Sequence, residues 1–295
     1  MTTTAIQCET ATAAELLVCA VQRLKRTQPS GSPATPELDA ELLLAQALGV
    51  SRARLRSHPE EMPPRQAARR FLELIERRGR GEPIAYLIGR KEFWTLELDV
   101  GPAVLVPRPE TELLVERALA LYPRPHARVA DLGTGSGAVA LALASARPGW
   151  QVTATDISAA ALTVARANAA RLGLTRVELL QGDWLGGLAD RSFNLLLSNP
   201  PYIAPDDPAL AQPELMHEPR LALVAAQDGF AALRAIIGAA PAHLEPGGWL
   251  LLEHGATQSA ALAGELVARG FAQVRSHRDL AGRERVTEGQ WPTHP

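Results

Sequence analysis

The stretch Val129-Ala130-Asp131-Leu132-Gly133-Thr134-Gly135-Ser136-Gly137-Ala138 decides the fold of this chain. Its first residues close a strand expected over Arg128–Leu132, and its last open a helix expected over Gly137–Ala146. Glycines at 133, 135 and 137 let the backbone turn tightly and let a ligand approach without a Cβ clash. Asp156 follows at the end of the next strand, where a carboxylate can accept both hydroxyls of a ribose.

Working outward, the residues from Ala127 onward alternate between strand and helix patterns. Strands are expected near Arg128–Leu132, Gln151–Asp156, Arg176–Gln181, Phe193–Ser198, Trp249–Glu253 and Ala272–His277, with helices such as Gly137–Ala146 and Ala159–Leu172 between them. That alternation predicts an α/β, Rossmann-like domain with a mostly parallel sheet covered on both faces.

The residues before it read as helices. Thr12 and Glu15 form a capping box, and Leu16, Leu17, Ala20, Val21 and Leu24 recur at helical spacing. Gln28–Pro36 is a loop rich in proline and serine, and Pro36 suits the first turn of the next helix, with its apolar stripe Leu42, Leu43, Leu44 and Leu48. A third helix is expected over Arg65–Arg78, burying Phe71, Leu72, Leu74 and Ile75 and stopped by Gly79, Gly81 and Pro83. From Pro83 to Val106 the period changes to two, with Ile84, Tyr86 and Ile88 and then Phe93, Leu96, Leu98 and Val100. This predicts a β-hairpin or short strands. Pro107 and Pro109 then introduce a helix over Glu110–Leu121. The expected domains are therefore 1–82, helical; 83–106, a β-hairpin bridge; and 107–295, the α/β domain.

Composition narrows the function classes. The chain has 295 residues, 46% hydrophobic and 21% charged, enough apolar material to offset the entropy of ordering. No apolar run reaches the ~18 residues of a membrane span. Met1–Thr12 carries no basic region followed by an apolar one, which predicts a cytoplasmic protein. A net charge of -2 argues against a general nucleic-acid coat. Cys8 and Cys19 predict two reduced thiols rather than a disulfide or zinc framework. The neighbours His217–Glu218 and Glu253–His254 point to opposite faces if extended, so no metal site is expected. Arg65, Arg69, Arg70, Arg77, Arg78 and Arg80 are interleaved with glutamates, which predicts a solvated face of mixed charge.

The glycine loop alone leaves the ligand open. Gly133-x-Gly135-x-x-Ala138 also satisfies the dinucleotide fingerprint, so a nicotinamide-dependent oxidoreductase is one reading. Two features favour S-adenosylmethionine. Asp131, two residues before the first glycine, suits a cationic ammonium better than a pyrophosphate. The second feature is Asn199-Pro200-Pro201-Tyr202, which closes the strand Phe193–Ser198. Consecutive prolines fix φ and cannot extend a sheet, and each pushes the residue before it into an extended conformation. The Asn199 side chain and the Pro200 carbonyl are thus two stiffly held acceptors at the carboxyl edge of the sheet, and Tyr202 adds a flat stacking face. Two acceptors gripping a planar NH₂ orient it and favour positive charge developing on nitrogen as it attacks a sulfonium methyl.

At this point the chain resembles the peptide chain release factor glutamine N5-methyltransferases, the HemK-type enzymes. The likeness spans nearly the whole length. It rests on Glu82–Arg90 with Lys91-Glu92-Phe93, Val106-Pro107-Arg108-Pro109-Glu110-Thr111-Glu112, Asp131–Gly137 and Asp156. It continues through Gly182-Asp183-Trp184, Asn199–Ile203, Glu218-Pro219-Arg220 and Pro246-Gly247-Gly248. The Asn-Pro-Pro-Tyr piece is shared with DNA and RNA amino methyltransferases, which are the alternative reading. The resemblance implies that Gly133, Thr134, Gly135, Ser136 and Gly137 hold the methionine part of S-adenosylmethionine, with Asp131 near its ammonium. It implies Asp156 on the ribose, and Asp183 and Trp184 around the adenine. Asn199 and Pro200 would grip a glutamine amide, with Pro201 and Tyr202 beside it. The implied substrate is the glutamine of the Gly-Gly-Gln tripeptide of bacterial class-one release factors, contacted further by the helical domain. The enzyme is expected to act as a monomer without stable nucleic-acid or membrane partners.

Overall fold

A strand whose residues are apolar on both faces survives only between two covering layers. Phe193–Ser198 (strand β6) is such a strand: Leu195, Leu196 and Leu197 are all fully buried. The computed structural model describes residues 11–27, 35–188 and 190–293. Cys8 and residues 28–34 of the expected Gln28–Pro36 loop lie outside that range.

The chain divides into two units. The larger comprises Arg90–Leu210 and Glu218–Pro295. It begins with a hairpin of β1 (Arg90–Phe93) and β2 (Leu96–Asp99). A seven-stranded sheet follows, built from β3 (Arg128–Leu132), β4 (Gln151–Asp156), β5 (Glu178–Gln181), β6, β7 (Leu244–Glu253), β8 (Ala272–Arg278) and β9 (Glu284–Gln290). Its order is β5-β4-β3-β6-β7-β9-β8, parallel from β5 to β7, with β9 antiparallel to both β7 and β8. Alternate residues supply the two faces. Val129, Leu195, Leu197 and Leu251 pack with Leu141 and Leu143, whereas Ala130, Leu132, Leu196, Leu250 and Leu252 pack with Leu233, Ile236 and Leu262.

The smaller unit, which includes Ala211–His217, contains five α-helices among the described residues. They are α1 (Ala13–Thr27), α2 (Pro36–Leu48), α3 (Arg52–Ser57), α4 (Arg65–Gly79) and α5 (Ile84–Ile88). The capping box forms as read: the Thr12 amide donates to Glu15 Oε2 at 2.8 Å, and the Glu15 amide to Thr12 Oγ1 at 3.3 Å. Leu16, Leu24, Leu43, Leu44, Phe71 and Ile75 form its core.

Several sequence expectations change. Ile84–Ile88 is a helical turn and not a strand: Pro83 precedes it, Gly89 ends it with φ +82°, and the Leu87 amide closes an i→i−4 bond on the Pro83 carbonyl. Bracketing by a proline and a left-handed glycine outweighs a period-two pattern five residues long. Strand β9 was not anticipated, because Glu284–Gln290 is mostly polar. Its Glu288 is 1% exposed and bears an ion pair with Arg117 at 3.0 Å, which lets a charged residue enter a sheet. Helix α3 was also not anticipated. Arg78 leaves the expected solvated face: it is buried and paired with Asp39 and Glu214, both at 2.7 Å. Among the described residues, no helix is long and apolar enough to cross a membrane.

Candidate functional site

The sheet changes winding direction between β3 and its neighbour β6, and in open α/β sheets the carboxyl ends at such a point form a crevice. Here they open into a cavity of about 430 Å³, within the range of small-molecule sites.

One side is the glycine loop. Leaving β3, the Gly133 and Thr134 amides both donate to the Thr155 carbonyl on β4 at 2.9 Å. The loop then enters the helix Ala138–Ala146. Gly133 has φ +73°, and a Cβ there would meet Trp184 Cζ3 at 3.1 Å. The position therefore needs glycine for its backbone and for the indole lying against it. Trp184 is held in turn by Thr155, whose hydroxyl donates to the Trp184 carbonyl at 2.9 Å.

Two carboxylates face this side. Asp131 is 2% exposed, and its Oδ2 accepts from the Thr134 hydroxyl at 2.6 Å and the Ala140 amide at 3.1 Å. Burial pushes its pKa up to about 6, against those two hydrogen bonds. Asp156 is shallower: Oδ2 accepts from the Gly135 amide at 2.9 Å and Oδ1 from the Ser158 amide at 2.8 Å. Ionised carboxylates have about four acceptor sites, so Asp156 keeps capacity for a further donor on each oxygen.

The other side is Asn199-Pro200-Pro201-Tyr202, just beyond β6. Asn199 Nδ2 donates to Thr111 Oγ1 at 3.0 Å, which orients the amide and leaves Oδ1 as its free acceptor. The Tyr202 carbonyl accepts from Gln258 Nε2 at 3.2 Å, and its hydroxyl donates to Glu253 Oε1 at 3.4 Å. Gly229 (φ +85°) lies so close that a Cβ would fall 2.2 Å from the Tyr202 carbonyl oxygen. Burial, and then the neighbouring Glu253, push the Tyr202 hydroxyl's pKa up.

Of the residues singled out from the sequence, Asp131, Gly133, Thr134, Gly135, Ser136, Asp156, Asp183, Trp184, Asn199 and Pro201 line this one cavity. Gly137, Pro200 and Tyr202 are not in its wall. Gly137 instead caps the following helix.

The structure also brings here Thr111 and Glu253, to which the sequence reading gives no site role, and Arg108, which the sequence leaves open between a structural ion pair and a place near the substrate. Thr111, 4% exposed, lines the cavity and holds Asn199. Arg108 also lines it, and its Nη2 donates to Glu218 Oε1 at 2.5 Å, while Glu218 Oε2 accepts from the Val106 amide at 3.1 Å. Glu253 supports Tyr202 from β7. A carboxylate closing the apolar run Trp249–Leu252 at a sheet's carboxyl edge is the sequence signal that marks it. Thr111 has no such local signal, because its partner is 88 residues away.

Two family models match the chain: "PrmC N-terminal domain" over residues 15–89 and "Methyltransferase small domain" over residues 97–276. The release factor glutamine methyltransferase of Pseudomonas aeruginosa is 51% identical, over 91% of this chain and 97% of that one. Its counterpart in Xylella fastidiosa is 49% identical, over 94% of this chain and 97% of the relative. Among solved structures, a methyltransferase from Pyrococcus furiosus superposes with a TM-score of 0.51 at 20% identity, covering 67% of this chain and 89% of that one. That last likeness concerns the fold alone.

Proposed function

Because the chain belongs to the release factor glutamine methyltransferase family, we propose that it moves a methyl group from S-adenosylmethionine to N5 of a glutamine side chain. The glutamine is that of the Gly-Gly-Gln motif in class-one peptide chain release factors. The single observation that carries this reading is the Asn199 amide in the cavity wall, its Nδ2 engaged by Thr111.

The cavity suits the cofactor. Asp131 is a carboxylate whose ionisation burial disfavours, so a cation placed beside it relieves that cost. The glycine loop has no side chain where Trp184 lies, leaving a flat indole face for a planar base. In this reading Gly133, Thr134, Gly135 and Ser136 cradle the methionine portion, with Gly137 setting the loop's exit. Asp156 accepts from the ribose hydroxyls, and Asp183 and Trp184 flank the adenine. S-adenosylmethionine supplies an electrophilic methyl on a sulfonium.

The chain's own residues prepare the nucleophile. A carboxamide nitrogen is a poor nucleophile, because its lone pair is delocalised into the carbonyl. Asn199 Oδ1 and the Pro200 carbonyl accept its two N–H bonds, aim the nitrogen and favour the positive charge that grows on it during attack. Pro201 in the cavity wall encloses the amide and limits water, with Tyr202 next to it in the chain. The surplus proton leaves after the methyl is transferred, so attack needs no strong base.

Residues 1–82 would engage the body of the protein substrate, 83–106 would join the parts, and 107–295 would carry the chemistry. The protein would work as a cytoplasmic monomer. Incubation with radiolabelled S-adenosylmethionine and either a release factor or nucleic acid tests the proposal. Label on the Gly-Gly-Gln glutamine, located by peptide mass spectrometry, is the expected result. Label entering nucleic acid instead would replace it with an amino-methylating nucleic-acid enzyme.

A further inference from the structure

Glu253 is the least explained buried charge in the sheet unit. It closes β7, is 1% exposed, and makes no ion pair among the described residues. Its Oε1 receives the Tyr202 hydroxyl at 3.4 Å, while Oε2 has no hydrogen-bond partner among the described residues. A buried carboxylate left half satisfied costs stability, so its retention needs a reason.

Its neighbours supply one. The nearby Thr111 hydroxyl lowers the carboxylate's pKa, without forming a hydrogen bond to Oε2. Tyr202 is the second donor. Arg285 on β9 and Glu110 beside Thr111 act on it only through their charge, in opposite senses, and Arg285 is itself paired with Asp279 at 3.2 Å. Thr111 Oγ1 meanwhile accepts from Asn199 Nδ2 at 3.0 Å. A threonine hydroxyl has one proton, so an oxygen that accepts from Asn199 must send that proton elsewhere. An ionised carboxylate can only accept, which makes Glu253 the proper recipient.

We propose that Glu253 is a positioning residue for the amide site. Its carboxylate draws the Thr111 proton, which keeps Thr111 Oγ1 an acceptor for Asn199 Nδ2 and so keeps Asn199 Oδ1 facing the cavity. This deepens the methyl-transfer reading above and rests on it.

Protonation reverses the relay. A neutral Glu253 can donate to Thr111, which then donates to Asn199 Oδ1, and the Asn199 amide turns its NH₂ toward a substrate NH₂. Two donors cannot grip each other, so transfer stops. Burial pushes the pKa of Glu253 up to about 7, with the Thr111 donor and Arg285 opposing that rise and Glu110 adding to it. The relay therefore switches near neutral pH.

The experiment compares wild type with Glu253→Gln, Thr111→Ser and Thr111→Val on whichever acceptor wild type methylates. Steady-state kcat and KM are measured from about pH 5.5 to pH 9, a range bracketing this group's pKa of about 7. Melting curves and calorimetry with S-adenosylmethionine check that each variant is folded and loads the cofactor. Thr111→Val should lose about ten- to a hundredfold in kcat with cofactor affinity retained, whereas Thr111→Ser should stay within about threefold. Glu253→Gln should abolish the acid limb of the kcat profile. Equal rates for Thr111→Val and Thr111→Ser, or an acid limb that persists in Glu253→Gln, would overturn the proposal.

A second readout is independent of turnover. The Asn199 side-chain NH₂ resonances of ¹⁵N-labelled protein, assigned with Asn199→Asp, should move with pH in wild type and not in Glu253→Gln. Resonances indifferent to pH would overturn the relay even if no methyl acceptor were found. Loss of the release-factor reading would show separately, as wild type labelling nucleic acid or nothing.

Discussion

The two sides of the cavity are held by different kinds of contact. The glycine loop is largely supported from nearby. Asp131 takes its hydrogen bonds from Thr134 and Ala140, three and nine residues away, and Asp156 takes one from Ser158, two residues away. The Asn-Pro-Pro-Tyr side is supported from afar. Asn199 leans on Thr111 across 88 residues, and Tyr202 on Glu253 and Gln258 across 51 and 56. The glycine-loop cradle needs only two adjacent strands, β3 and β4, and the turns that leave them. An amide aimed to a fraction of an ångström needs three remote segments to arrive together, and so depends on the whole sheet having formed.

That contrast can be broken by separating the two sides. The largest expected effect is that of Asn199→Ala, which should lower turnover by about 10²–10³ while leaving cofactor affinity nearly unchanged, as when one preorganised dipole is removed. Methyl incorporation and calorimetry on the same preparation check it, and near-normal turnover would dissolve the distinction. On the loop side, Asp156→Ala should weaken S-adenosylmethionine binding by roughly tenfold or more, through loss of charge-assisted bonds. Equal affinity by calorimetry would contradict the ribose assignment.

A smaller effect sharpens the comparison. Gly133→Ala forces a Cβ onto a backbone at φ +73° and toward the Trp184 ring at 3.1 Å. It should destabilise the fold by about 1–2 kcal/mol, the cost of a left-handed non-glycine residue, read as a lower melting temperature. The smallest effect is a difference in slope. The folded pKa of Glu253 is raised from 4.5 to about 7, so the folded state holds this proton more tightly than the unfolded one. The associated stability is fully present below about pH 4.5 and is lost as pH rises through about 7. Glu253→Gln should melt with less dependence on pH across that interval. Identical slopes for wild type and variant would show that Glu253 is not buried as a titrating acid.

The parallel sheet was readable because buried parallel strands are short apolar runs between helices. Phe193–Ser198 and Gln151–Asp156 fall where the pattern puts them. Strand β9 escaped because Glu288 is admitted to the interior by Arg117, 171 residues away in sequence. Tyr86 and its neighbours mimicked a strand because five residues sample too little of either period, and the caps at Pro83 and Gly89 decide the matter.

By itself the sequence determined the strand–turn–helix with its glycines, the two carboxylates Asp131 and Asp156, and the proline-locked Asn199. Backbone preference, side-chain chemistry and strand period are properties of neighbours along the chain. Only the tertiary structure decided which way the Asn199 amide faces and what surrounds Glu253. Hydrogen bonds between residues far apart in sequence exist only once the sheet brings its carboxyl edges together, and no local pattern encodes them.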